Sequence, residues 1–239
     1  MDCLLGAIIL YCGLQALLLG ASPGRCNANQ SAYCFRQTSR MTGIHVVRLS
    51  KRGVQIENLH THIVMVSVAP DWQVCTYNKE KGNYFISKDA TRFKGSLANT
   101  FFRAAGDEIG QFSWQHANAQ LFHGLNADRF VAVDRNAKRH AVPGLVSDTA
   151  IRVAEYIVAH DDLLPPRIAD AVCRLYSVPS LHKVPFQYLY SSDGRTLLSG
   201  LTCTAFERTI DRPGLFEFPK GLKLSRDEKE VFIGERVLF

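Results

Sequence analysis

The sequence predicts an α+β domain: a predominantly antiparallel sheet with a few helices on one face. Three observations carry that expectation. Apolar and polar residues alternate in successive short runs separated by turn residues, the pattern of consecutive hairpins. Aromatic side chains recur at alternating positions within many of those runs. The clearest helical period falls in residues 165–176, where Ile168, Ala171, Val172, Leu175 and Tyr176 follow i, i+3, i+4, i+7, i+8 spacing behind two prolines. No internal repeat or low-complexity linker divides the chain, so residues 43–239 are expected to form a single domain.

In chain order, Ile44–Leu49 and Val54–Asn58 form a hairpin around a turn at Ser50–Gly53. His60–Val68 is rich in β-branched residues and stops at Pro70. Gln73–Tyr77 and Asn83–Ser87 make a second hairpin across Asn78–Gly82. Ser96–Gly106 has a suitable N-cap and a glycine stop, which predicts a short helix. Strands are expected again at Gln111–Gln115, Ala119–His123 and Asp128–Val133. Residues 148–160 fit either a helix or a strand. After the helix, Val184–Tyr190 and Thr196–Thr209 pair through an Asp193–Gly194 turn, with Leu197, Leu201, Cys203 and Ala205 on one side. Phe216–Leu224 and Glu230–Ile233 finish the chain.

The chain has 239 residues, 46% apolar and 21% charged, with 28 Lys+Arg against 22 Asp+Glu. These fractions exclude a disordered protein, a collagen-like fibre and a multi-spanning membrane protein. A net charge of +6, spread along the chain, is no nucleic-acid footprint. Cys3–Leu19 is apolar and uncharged, and small residues follow at Gly20–Gly24, the layout of an export signal. Residues 1–24 are therefore expected to be a signal peptide, with an uncleaved anchor as the alternative because Asp2 stands where a basic residue is usual. That alternative would bring residues 3–19 into contact with a membrane. The expected location is extracytoplasmic, periplasmic or secreted. Residues 25–42 are polar and are expected to be a flexible N-terminal arm.

Removal of the signal takes Cys3 and Cys12 from the seven cysteines and leaves Cys26, Cys34, Cys75, Cys173 and Cys203, an odd number. Cys26 and Cys34 could close a loop, and Cys173 and Cys203 could meet between helix and strand, while Cys75 is expected to be a buried packing residue. His60 and His62 would share a strand face near His45, but no further ligand completes a metal set. Asp161–Asp162 is expected to serve the following helix N-terminus. There is no Gly-x-Ser-x-Gly, phosphate loop or dinucleotide fingerprint. No catalytic residue, metal or cofactor is assigned.

Several short motifs come in a telling order. Ala69-Pro70-Asp71-Trp72-Gln73-Val74 leads an early hairpin, and His123-Gly124-Leu125-Asn126-Ala127-Asp128-Arg129-Phe130 a middle strand. Leu175-Tyr176-Ser177-Val178-Pro179, Val184-Pro185-Phe186, Leu201-Thr202 and Phe216-Glu217-Phe218-Pro219-Lys220-Gly221-Leu222 close the series. Over residues 43–233 this resembles the lipoprotein-carrier half-barrel superfamily and its secreted relatives, with Leu222 where an aromatic is usual. The resemblance implies an open antiparallel half-barrel with helices across its concave face and an apolar groove. It transfers no catalytic residue, and the arginine that latches the carrier's lid has no match here. The expected function is thus exported, non-enzymatic binding of a hydrophobic ligand or lipidated partner, lined by Val64, Val66, Phe101, Phe186, Tyr188 and Leu201. An envelope-structural or protein-interaction domain with a filled core is the alternative, and a Cys/His-dependent hydrolase using Cys75 a third.

Overall fold

The fold is described from a computed structural model, over residues 31–95, 113–133, 153–191, 195–212 and 214–232. These form one open, almost wholly antiparallel sheet of 12 strands in the order β12-β6-β5-β4-β3-β2-β1-β11-β10-β9-β8-β7. The strands are β1 (Ser31–Ser39), β2 (Gly43–Ser50), β3 (Gly53–Asn58), β4 (Ile63–Val68), β5 (Val74–Asn78), β6 (Asn83–Ser87), β7 (Gln115–Phe122), β8 (Leu125–Val133), β9 (Val153–Ala159), β10 (Pro185–Ser191), β11 (Leu198–Ile210) and β12 (Lys223–Leu224). One long helix, α1 (Pro166–Tyr176), and a short one, α2 (Glu228–Phe232), accompany them. The curved α+β sheet with helices on one face is thus the observed architecture, and both early hairpins stand where the alternation places them.

Two meanders, β2–β6 and β7–β11, are joined edge to edge by β1, which pairs with β2 on one side and β11 on the other. Residues 31–39 therefore belong to the middle of the sheet and not to a flexible arm. Their inward positions are Tyr33, Phe35, Gln37 and Ser39, of which two are polar. Gln37 is 1% exposed and donates through Nε2 to the Pro185 carbonyl at 2.7 Å. A buried polar group held by a residue 148 positions away leaves no local apolar pattern to read.

The inner face carries α1. Its Ile168, Ala171, Val172, Leu175 and Tyr176 pack in one core with Phe35, Val47, Ile56 and Met65. Pro165 and Pro166 open the helix and Ser177, in the left-handed region at φ 55°, closes it. Arg174 then reaches off the helix to the carbonyls of Phe93 (2.8 Å) and Ala90 (2.6 Å), fixing the 3-10 turn Ala90–Arg92. On the outer face, Phe218 and Leu222 lie over Val64, Val66, Cys75 and Tyr77. Phe216 crosses Gly53, where a Cβ would stand 2.9 Å from the Phe216 ring and 2.8 Å from the Ser67 carbonyl. The Phe216–Leu222 motif is thus a strap across β4–β6. It ends in a two-residue strand parallel to β6.

Other expectations change for local reasons. Residues 153–159 are a strand. His60 and His62 sit in the turn before β4, with His62 at φ 56° and its Nε2 3.5 Å from Glu80, so they share no strand face. A bulge at Thr204 shifts the β1–β11 register, so Phe206 and not Ala205 faces Phe35, and Leu197 precedes the strand. Asp161 and Asp162 do not cap α1; Asp162 instead accepts from Lys183 at 2.6 Å. Cys34, Cys75, Cys173 and Cys203 are free thiols, so Cys173 and Cys203 are not bridged. Residues 230–232 are helical. The Ser96–Gly106 helix, Phe101, Cys26 and the Asp193–Gly194 turn fall outside the described residues, as do residues 1–24.

His45 lies in the core, 1% exposed, with its ring edge-on to Tyr176 at 5.0 Å. Asn58 Nδ2, which can only donate, is 3.2 Å from Nε2, so the neutral ring accepts there. Burial pushes its pKa down to about 4, against a smaller opposing effect of the Gly43 backbone. An unfolded histidine titrates near 6.5, so stability is complete above that value and declines as pH falls towards about 4. We expect chemical unfolding of the wild type and of His45→Gln at a series of pH values to diverge across that window, the wild type losing about 3 kcal/mol relative to the variant. A difference that does not change with pH would show that His45 does not contribute.

Candidate functional site

The longest strand, β11, organises the inner face away from α1. The register pairs Leu198 with Tyr190, Leu201 with Tyr188 and Ser39, Phe206 with Phe35, and Arg208 with Tyr33. Strand alternation, corrected by bulges at Gly200 and Thr204, therefore puts Leu198, Leu201, Cys203, Phe206, Arg208 and Ile210 on one face. Two ring series cross them. In one, Tyr33 lies 5.6 Å from Phe206, Phe206 6.1 Å from Phe35, Phe35 5.9 Å from Phe186, and Phe186 stacks on Phe122 at 5.6 Å. The other runs from Trp114 to Tyr156 at 5.6 Å, to Tyr188 at 5.5 Å and to Tyr190 at 5.8 Å.

Cover over these rings is uneven. Phe186, Tyr188 and Leu201 are buried, at 1%, 3% and 0% exposure. Tyr33, Phe206, Tyr190, Trp114 and Phe130 are half-buried, while Leu198 is 38% and Ile210 56% exposed at the two ends of β11. A greasy strip thus emerges from the core at both ends of one strand. Its polar fittings are few. Arg208 sits 5.9 Å over the Tyr33 ring, and Arg40 donates to the Tyr190 hydroxyl at 2.8 Å. The Tyr188 hydroxyl is buried with no hydrogen-bond partner among the described residues, and burial raises its pKa. By contrast, Tyr156 donates to the Pro179 carbonyl at 2.7 Å.

Of the six residues expected to line a groove, Phe186, Tyr188 and Leu201 come together here. Val64 and Val66 are fully buried on the opposite face, beneath the Phe218–Leu222 strap. Phe206, Ile210, Leu198 and Trp114 belong to the strip although sequence reasoning passed over them as site residues. Phe206 and Ile210 were hidden by the Thr204 bulge, which inverts strand parity beyond it.

Three of the four described thiols are buried. Burial pushes Cys75 and Cys173 up to about 12 and Cys203 to about 11, so each stays protonated and packs as a small apolar side chain. Cys75 lies in the outer-face core. Among the described residues, no group of three His, Cys, Asp or Glu side chains is arranged to hold a metal ion. No helix among them is long and apolar enough to cross a membrane.

Compared with models of known protein families and with curated protein sequences, the chain matches none. It is similar to several solved structures. An uncharacterized conserved protein from Thermus thermophilus is 11% identical at a TM-score of 0.42, covering 83% of this chain and 91% of that one. MucB is 12% identical at 0.39, covering 82% of this chain and 60% of its own. A LolA superfamily protein from Nitrosomonas europaea is 8% identical at 0.22, covering 85% and 88%.

Gly200 sets how closely β11 approaches the second ring series, because a Cβ there would stand 2.6 Å from Cδ1 of Tyr188. Gly200→Ala should displace the Tyr188 ring and cost about 1–3 kcal/mol in chemical denaturation. Tyrosine emission should change with it, and an unaltered midpoint and spectrum would show that the ring is not held there.

Proposed function

We propose that this chain is an exported, non-enzymatic protein that reversibly binds a hydrophobic ligand or a lipidated partner on the inner face of its sheet, along β11, β10 and β1. The observation that carries this reading is the strip of half-covered rings between exposed Leu198 and Ile210. An apolar chain laid against it would be held by removal of its surface from water, about 25 cal/mol per Å². Contiguous exposed apolar surface of this kind marks interaction sites. The unpartnered Tyr188 hydroxyl supplies one polar anchor for a ligand end that reaches beneath the surface. Export, with release of residues 1–24 or their retention as an anchor, follows from the apolar run at residues 3–19 and the small residues after it.

The filled-core alternative has its own support in the burial of Phe186, Tyr188 and Leu201. The two separate cleanly by experiment. Saturable binding of an environment-sensitive naphthylamine dye is expected for the wild-type protein, together with co-purifying lipid in native mass spectrometry. Phe206→Asp should weaken dye binding at least about tenfold by placing a charge in the strip. Tyr188→Phe should leave stability within about 1 kcal/mol, because its hydroxyl has no hydrogen bond to lose. A clean apo mass after gentle purification with no saturable dye binding would sink the proposal in favour of a filled interaction domain.

A further inference from the structure

At the opposite side of the sheet, with five strands between it and β11, the end of β6, the 3-10 turn and the start of α2 enclose a cleft of about 420 Å³. Its walls carry Lys88, Arg92, Lys94 and Arg226 against Asp89, Asp227 and Glu228. The two exposed acids are already engaged. Asp89 accepts from the Thr91 N–H at 2.9 Å and the Thr91 hydroxyl at 2.7 Å, and meets Arg92 Nε at 3.6 Å. Asp227 accepts from the Lys229 N–H at 3.0 Å. Lys88 and Arg226 have no ion-pair partner among the described residues.

The third acid differs. Glu228 is 5% exposed; its Oε2 accepts from the Lys94 N–H at 3.3 Å, and its Oε1 is buried without a partner. A carboxyl with one oxygen unpartnered, in the wall of a cleft that also carries Lys88, Arg92, Lys94 and Arg226, is positioned to be neutralised when an anion arrives. We infer that this cleft is a binding site for a phosphate group, held by Lys88, Arg92 and Arg226, with Glu228 in its wall taking up a proton on binding. Arginine forks and a lysine ammonium suit tetrahedral oxyanions, and the neutral floor removes the one buried repulsion. Burial raises the Glu228 pKa to about 7, which puts that proton uptake within the neutral range. The sign follows: a bound anion raises it further, so affinity rises as pH falls through neutrality.

The phosphate could be free or the headgroup of a lipid, and the site stands apart from the apolar strip. The test uses the full chain. Inorganic phosphate is titrated calorimetrically at about pH 6 and about pH 8, and phosphatidylcholine vesicles with and without phosphatidylglycerol are floated with the protein. Saturable phosphate binding, or flotation only with phosphatidylglycerol, is expected; the first identifies a free-phosphate site and the second a headgroup site. The exposed double variant Lys88→Gln/Arg226→Gln should lose about tenfold or more in either assay. It should leave dye binding at the strip unchanged, which separates the two sites. Inorganic phosphate gains charge between those two pH values, so the readout is the difference between the proteins: Glu228→Gln should retain binding but lose the wild type's added preference for the lower pH. Absence of both binding modes, or binding untouched by the double variant, overturns the inference; a wild-type pH profile identical to that of Glu228→Gln removes Glu228 from it.

Discussion

The fold depends on the double pairing of β1. Each meander is built from neighbours in sequence, but neither closes on the other except through residues 31–39, bonded to β2 along one edge and to β11 along the other. The pairing is reinforced at both ends. Arg40 N–H donates to the Gly200 carbonyl at 3.1 Å, and at the far end Asp211 accepts from Ser50 (2.8 Å) and from Arg52 Nε (2.7 Å). Contacts spanning some 160 residues carry the largest loop-closure entropy in the molecule, so they form only when the flanking surfaces already fit. Without them there would be two separate sheets, and the aromatic strip, which takes rings from β1, β10 and β11, would not exist.

The same sheet serves two faces in different ways. On the outer side, β4 and β5 are sealed by the Phe216–Leu222 strap, so β4 is buried on both faces and reads as a continuous apolar run, Ile63-Val64-Met65-Val66. On the inner side, among the described residues, α1 seals only part of the sheet. Beyond its reach the rings of Tyr33, Phe206 and Tyr190 are half in water. The distinction explains why Val64 and Val66 are structural while Phe186, Tyr188 and Leu201 stand beside a surface.

Chemistry in this molecule is concentrated in polar groups that burial has left under-satisfied. Burial raises the Cys75, Cys173 and Cys203 thiols, His45 is held neutral in the core, and the Tyr188 hydroxyl and Glu228 carboxyl each lack a partner on one oxygen. The Tyr188 hydroxyl and the Glu228 carboxyl stand far apart in the sheet, one on β10 and the other beside the end of β6.

How much was legible follows from the range of the forces involved. Hairpins β2–β3 and β4–β6 and helix α1 are written in local alternation, turn residues and the 3.6 period, because each satisfies its own backbone among near neighbours. The apolar strand face containing Phe186 and Tyr188 could be read in the same way. By contrast, β1 stayed hidden because Gln37 and Ser39 face inward and find their partners far along the chain. The place of Phe206 and Ile210 in the strip depends on bulges, where one extra residue inverts every side chain that follows. The cleft at Glu228 joins residues 134 positions apart and has no local signature. Sequence alone therefore determined the class of fold and its local elements, through short-range periodicity. Tertiary structure decided which faces meet, which stay open and which polar groups are stranded, because those depend on register and on long-range pairing.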